Sequence, residues 1–375
     1  MNLSIKMLAF IFTVIIFSAC EKDSLSTNEI PIANTENTDD TMTRSTDVFY
    51  MPSEEEPHAG TWLQWPHDYG YDYDKVRRYE SIWVEMAKAL HTGEEVYIIV
   101  YNQYEKQRVK QLLQRKGLNM NKLQFFVWKT DDVWVRDNGP VYVFDKNDEL
   151  FITDWDFNGW GGKTDYYYCD RIPNQISRAT GIPKIKVNMV NEGGSVELDG
   201  NGTLMAKKSS ILNANRNPGM TQAEAEDYFR TYLGVENFIW LEGFAGEEIT
   251  DDHIDGTARF ANGNTIVTFA PEDAYEGEYE VMKNAQNAAG EPYEIVHLPF
   301  TKRKVRGTGD YASYVNFYVG NEAVIVPNFN DPMDAVANGI IQDLYPNRRV
   351  MGIDCRKLWQ DGGALHCVTQ QVPAY

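Results

Sequence analysis

Basic residues are scarce in this chain of 375, with 35 Lys and Arg against 55 Asp and Glu and a net charge of -20 at pH 7. That balance excludes a nucleic-acid ligand, which needs cations along its phosphates, and argues against adsorption on anionic lipid. An acidic surface suits a cationic ligand, and it suits plain solubility equally well. Cysteine is scarce too, with only Cys20, Cys169, Cys355 and Cys367, and no Cys-x-x-Cys, His-x-x-x-His or EF-hand pattern occurs. No metal site is therefore indicated. The apolar run at residues 8–17 is too short to cross a bilayer and remain there.

What that run does resemble is an export signal. Lys6 precedes it, small residues follow, and Cys20 stands at the cleavage point, which is similar to a bacterial lipoprotein signal. We expect residues 1–19 to be a signal peptide, Cys20 to be lipidated, and residues 20–49 to act as a disordered tether poor in large apolar side chains. The mature chain would be exported and held at the cell envelope only through that lipid. Losing Lys6 takes the net charge from -20 to -21. With Cys20 assigned to lipid, three cysteines remain, so at least one thiol stays free.

With 43% hydrophobic and 13% aromatic residues, the remainder can bury a large core, and residues 50–375 read as one catalytic domain. Residues 73–91 have helical spacing, with Val76, Tyr79, Ile82, Trp83, Met86 and Leu90 on one face and Gly93 as a stop. Strands are expected at 96–100 and 123–128, with a helix at 105–116 between them, so the fold class is α/β. Four strand–turn–strand patterns follow, at 141–154, 196–206, 258–269 and 316–326. Helix-like stretches at 221–233, 279–289 and 331–344 come after three of them. The repeating unit is two strands, a helix and a further strand, and such units can close in a ring about one axis.

Ionisable residues keep step with this repeat. Asp137 precedes Val141 by four, Glu192 precedes Val196 by four, and His253 and Asp255 stand just before Ala258. The last segment, Gly362-Gly-Ala-Leu-His-Cys367, adds a thiol behind a glycine pair. Singly, each has a plain alternative: the acids as turn residues, the His as a surface residue, Cys367 as a buried apolar one. Shared phase changes the balance, because equivalent positions in a closed ring face one centre. Carboxylates grip a planar guanidinium, an aromatic face such as Trp134 stacks on it, and a thiolate can attack its carbon. His253 could then protonate departing ammonia and activate water, with no cofactor.

Seven stretches carry a further likeness: Met51-Pro-Ser-Glu-Glu-Glu-Pro-His58 with Thr61-Trp-Leu-Gln-Trp-Pro66, Trp134-Val-Arg-Asp137, Asn158-Gly-Trp-Gly-Gly162, Glu192-Gly-Gly-Ser, His253-Ile-Asp255, Tyr314-Val-Asn-Phe-Tyr318 and Gly362 to Cys367 with Gln370-Gln-Val-Pro373. In this order they resemble the agmatine deiminase and bacterial peptidylarginine deiminase family of the guanidino-group-modifying superfamily. The resemblance implies a five-bladed α/β propeller, with Cys367 as nucleophile, His253 as general acid and base, and Asp137 and Asp255 as guanidinium clamps. It also implies Glu192 in support and Trp134, Trp160 and Asn316 at the substrate. Agmatine, hydrolysed to N-carbamoylputrescine and ammonia, is the expected substrate, because the Asn158 stretch is of the agmatine type. Yet Ile249 and Asp252 stand where that branch usually has an acid and a glycine, and Asp251 or Asp252 is the expected source of the missing carboxylate. Peptidyl or free arginine therefore stays open, as does self-association. A non-catalytic surface lipoprotein, using its many Trp and Tyr to hold a glycan or peptide, is the rival from another class.

Overall fold

Five times in the described part of the chain, two antiparallel strands are followed by a third that runs parallel to the second. The computed structural model describes residues 49–69, 73–275 and 277–375. The leader, Cys20 and the tether to residue 48 lie outside them, as does the side chain of Val76. Four units are continuous in sequence: Val141–Phe144, Leu150–Asp156 and Lys184–Val190; Val196–Leu198, Thr203–Lys207 and Asn237–Leu241; Arg259–Ala261, Thr265–Phe269 and Glu294–Leu298; Tyr318–Val319, Ala323–Asn328 and Arg349–Asp354. The fifth joins the chain's two ends. Gln370–Pro373 pairs antiparallel with His58–Gln64, which runs parallel to Glu95–Val100, and Leu123–Val127 extends the sheet. Every parallel step is made through a helix, as a crossover requires.

The expected helices form with the caps their ends specify. Asn102 accepts the Glu105 amide to start Gln103–Arg115, and Thr221 forms a capping box with Glu224 ahead of Gln222–Leu233. In the helix Tyr73–Leu90, Tyr79, Ile82, Trp83, Met86 and Leu90 are buried, as their spacing predicts. One expectation fails: the stretch 279–289 is helical only over Glu278–Lys283. Asn287 folds its side chain onto the amides of Ala289 and Glu291, a local turn that competes with the helix. Two strands also shift slightly. The third hairpin begins at Arg259 and the fourth at Tyr318.

These offsets matter for the site. Each of four first strands is entered through a single helical turn: Val135–Asn138, Gly193–Ser195, Ile254–Gly256 and His366–Val368. With the third strand starting at Arg259, Asp137, Glu192 and Asp255 all stand four residues before their strands, a tighter phase than the sequence suggested. Large side chains close the core between sheets and helices. Trp62 also donates to the Tyr142 hydroxyl at 2.9 Å, which ties the unit that joins the chain's ends to the one that begins at Val141. No helix among the described residues is long and apolar enough to cross a membrane.

Candidate active site

The strand-entry turns bring the predicted residues together. Asp137, 6% exposed, accepts the Trp160 indole N–H at 3.0 Å through Oδ2 and the Gly194 amide at 3.1 Å through Oδ1. His253 lies between two acids, with Nδ1 3.6 Å from Asp137 Oδ1 and Nε2 3.2 Å from Glu192 Oε2. Cys367 Sγ stands 3.5 Å from Asp255 Oδ2 and takes the Asn316 amide at 3.2 Å. Asn316 Oδ1 also accepts the His366 amide at 3.0 Å, which fixes the turn carrying the thiol.

Two glycines let these parts approach. A Cβ on Gly194 would lie 2.7 Å from His253 Nδ1, 2.8 Å from Asp137 Oδ1 and 3.1 Å from Asp255 Oδ2. One on Gly363 would strike the Trp134 ring at 2.4 Å, and Cys367 Cβ is only 3.3 Å away. Both positions therefore need glycine for space. The first set of distances also shows that imidazole and both clamp carboxylates converge on one spot.

Burial and charge set the protonation of this cluster. Burial pushes the Asp137 carboxyl up to about 6, the neighbouring Asp255 and Glu192 adding to it against the pull of His253. Burial alone would lower the His253 imidazole, but Asp137 and Glu192 raise it to about 9. Asp255 resists the same burial: the hydrogen bond and charge of His366 hold its carboxyl below the usual range. Burial, then the charges of Asp255 and Asp137, push the Cys367 thiol well above its ordinary value. The resting site thus holds a thiol and an imidazolium between acids.

Several partners were not foreseen from sequence. Arg216, fully buried, gives Nε to Glu192 Oε1 at 2.8 Å and pairs with Asp251, so it links the acid under His253 to the loop before it. In that loop Asp251 and Asp252 have φ of 62° and 74°. Left-handed backbone is tolerated by Asp but still costs free energy, and here the side chains hold it in place. Asp251 also takes Lys163 at 2.7 Å, and Asp252 takes the buried Lys207 at 2.8 Å. Neither acid is free to serve as the missing carboxylate, while Ile249 packs with Trp134, Phe157 and Trp160. Asp132 is a further buried acid, pushed up by burial to about 7, whose Oδ1 holds the amide of Trp134 at 3.1 Å. Cys169 and Cys355 are both free and buried.

Known proteins resemble this chain in both sequence and fold. The family model described as Porphyromonas-type peptidyl-arginine deiminase matches residues 50–373. A protein of Selenomonas ruminantium named "Putative agmatine deiminase" is 31% identical over 365 residues, covering 88% of this chain and 98% of its own length. Among solved structures, the agmatine deiminase of Enterococcus faecalis superposes with a TM-score of 0.78 at 27% identity, over 87% of this chain and 96% of its own. The "Putative Arginine Deiminase" of Porphyromonas gingivalis does so with a TM-score of 0.77 at 32% identity, over 87% and 98%.

Proposed function

The chain belongs to the Porphyromonas-type peptidyl-arginine deiminase family, and from that premise we propose that it is a guanidine deiminase, a hydrolase of C–N bonds that works through Cys367. The observation that carries this reading is that His253, Asp137 and Asp255 meet beside Gly194 while the Cys367 sulfur lies 3.5 Å from Asp255 Oδ2.

A guanidinium entering there is gripped by Asp137 and Asp255 with Trp134 beside it. Its positive charge offsets the carboxylates that keep the thiol protonated, and the thiol proton leaves to solvent. The thiolate adds to the guanidinium carbon, forming the C–S bond. The His253 imidazolium protonates one nitrogen, and ammonia departs as the C–N bond breaks, leaving a thiouronium on Cys367. Neutral His253 then takes a proton from water as its oxygen adds to the same carbon. Collapse breaks the C–S bond as the hydroxyl proton leaves to solvent, which frees the ureido product and restores the thiolate; the thiolate takes up a proton as product departs. Asn316 holds the sulfur throughout, Trp160 fixes Asp137, and Glu192 orients His253. No cofactor takes part in these steps. Closure of the five units into one five-bladed propeller belongs to the same reading.

Agmatine is the first substrate to assay, in keeping with the names of the relatives. Arginine at a peptide terminus is a second reading with one specific observation behind it. Asp251 and Asp252 are already occupied by Arg216, Lys163 and Lys207, so neither is open to the free ammonium of agmatine. The test is turnover by the purified chain and by Cys367→Ala on agmatine, arginine and peptides ending in arginine, scored as ammonia and ureido product. Activity abolished in the variant supports the proposal. No turnover of any guanidine by reduced, intact protein overturns it in favour of a binding lipoprotein, and product without ammonia indicates amidino transfer. We also propose an exported protein anchored through Cys20. Mass analysis of the mature N-terminus tests that, an unlipidated start refuting it.

A further inference from the structure

His366, one residue before the thiol, is 2% exposed and sits between two carboxylates, with Nδ1 2.7 Å from Asp255 Oδ2 and Nε2 2.9 Å from Glu54 Oε2. A neutral imidazole has one N–H and one lone pair, so with both acids ionised it could satisfy only one of these contacts. Both nitrogens must then donate. The surrounding charges ask for the same thing. Glu54 takes Arg136 Nη2 at 3.0 Å, Arg259 Nη2 at 2.9 Å and the Val319 amide at 2.9 Å. Arg259 Nε pairs with Glu197, whose Oε1 is 3.9 Å from His366 Nε2. Two buried carboxylates, Asp255 and Glu197, and the largely buried Glu54 face two guanidinium groups, and although burial pushes the Glu197 carboxyl up, a ring donating from both nitrogens complements the remaining negative charge. The other titratable groups about Asp255 are His253, Asp137, Glu192 and the Cys367 thiol.

Asp255 Oδ2 receives both His366 Nδ1–H and, at 3.5 Å, the thiol. The imidazolium therefore sets the charge and the aim of the carboxylate next to the reacting sulfur. We infer that His366 is a positioning residue of the reaction, a strut that donates from both ring nitrogens, holds Asp255 beside Cys367 and ties it to the arginine-clamped Glu54 and Glu197. The kinetic consequence rests on the deiminase reading above; the charge state of the ring does not. Without His366, Asp255 keeps only Arg259 and His253 as nearby cations, and burial favours its protonated form. A protonated Asp255 loses its grip on a guanidinium at low pH and regains it as pH rises.

Two measurements test this. In substrate-free protein labelled with 15N-histidine, the resonances lost in His366→Asn should show both ring nitrogens protonated at pH 7; a single neutral tautomer overturns the inference. In His366→Asn and His366→Gln with wild-type circular dichroism, KM for the guanidino substrate should rise about ten-fold or more. The acidic limb of kcat/KM should move up by about one pH unit or more, as Asp255 loses the contact that holds its carboxyl down. A merely structural role would lower kcat at unchanged KM with the limb in place, and that result overturns the inference. Should neither variant fold, Glu54→Gln removes one of the ring's two anionic acceptors. KM should then rise and the acidic limb move up, and both unmoved in a folded variant overturns the inference. Absence of wild-type turnover would sink the deiminase reading while leaving the spectroscopic prediction standing.

Discussion

Adding one methyl group at Gly194 reaches the site without removing any of its chemistry. In Gly194→Ala the new Cβ would lie 2.7 Å from His253 Nδ1 and 2.8 Å from Asp137 Oδ1. Non-bonded heavy atoms rest at roughly 3.5 Å, so imidazole and carboxylate must give way by about 0.7–0.8 Å. A misplacement near 1 Å in a reacting constellation costs about a hundredfold, which predicts a loss in kcat/KM between about 10- and 100-fold. Overpacking itself should cost about 1–3 kcal/mol of stability, leaving the protein folded. Gly339→Ala is the control. It lies within the helix Asp334–Leu344 with nothing within 4 Å of a new Cβ, and it should leave activity unchanged while stabilising by about 0.5–1 kcal/mol. The assay is ammonia release at subsaturating substrate, with denaturant unfolding of both variants. A folded Gly194→Ala within about three-fold of wild type would refute the convergence of imidazole and carboxylates on that spot, because a displacement of that size could not leave activity intact.

Asp137, raised to about 6, must be ionised to hold the cation, so kcat/KM should fall as pH drops through about 6. His253, raised to about 9, must keep its proton to release ammonia, so kcat/KM should also fall as pH rises through about 9; a pH–rate profile flat across either value would contradict the assignment. Arg216→Met strands the buried Glu192 and Asp251 without their shared cation and should cost about 3–5 kcal/mol, read by denaturant unfolding, with a loss under 1 kcal/mol counting against the clamp. In substrate-free protein, alkylation of Cys367 by iodoacetamide should still be accelerating above pH 9, the ordinary thiol value. A plateau below pH 7 would mean that the thiolate is already formed at rest.

Much of this was legible because hairpins announce themselves in sequence. Alternating strands around turns such as Asp-Gly-Asn-Gly set the repeat, and the phase of Asp137, Glu192 and Asp255 against it pointed to one centre. The fifth unit was less visible. Gln370–Pro373 is four residues long and finds its partner, His58–Gln64, more than 300 residues away, a pairing no local pattern encodes. The ion-pair partners were hidden for the same reason. Glu54 and His366 both stood in recognised stretches, yet their contact spans 312 positions. Arg216 sits in an unremarked Asn-rich segment, and only tertiary packing sets it against Glu192. The stretch 279–289 was over-read as helix because its composition suits one, while the Asn287 turn acts through hydrogen bonds that composition does not show.

The central claim is a covalent one and can be weighed directly. Acid-quenching the protein within the first turnover and mapping the digest by mass spectrometry should show the Cys367 peptide heavier by the substrate less one ammonia. That adduct should disappear as turnover completes, and it should be absent from Cys367→Ser. Ammonia released with no adduct on Cys367, or an adduct on Cys169 or Cys355 instead, would contradict the account.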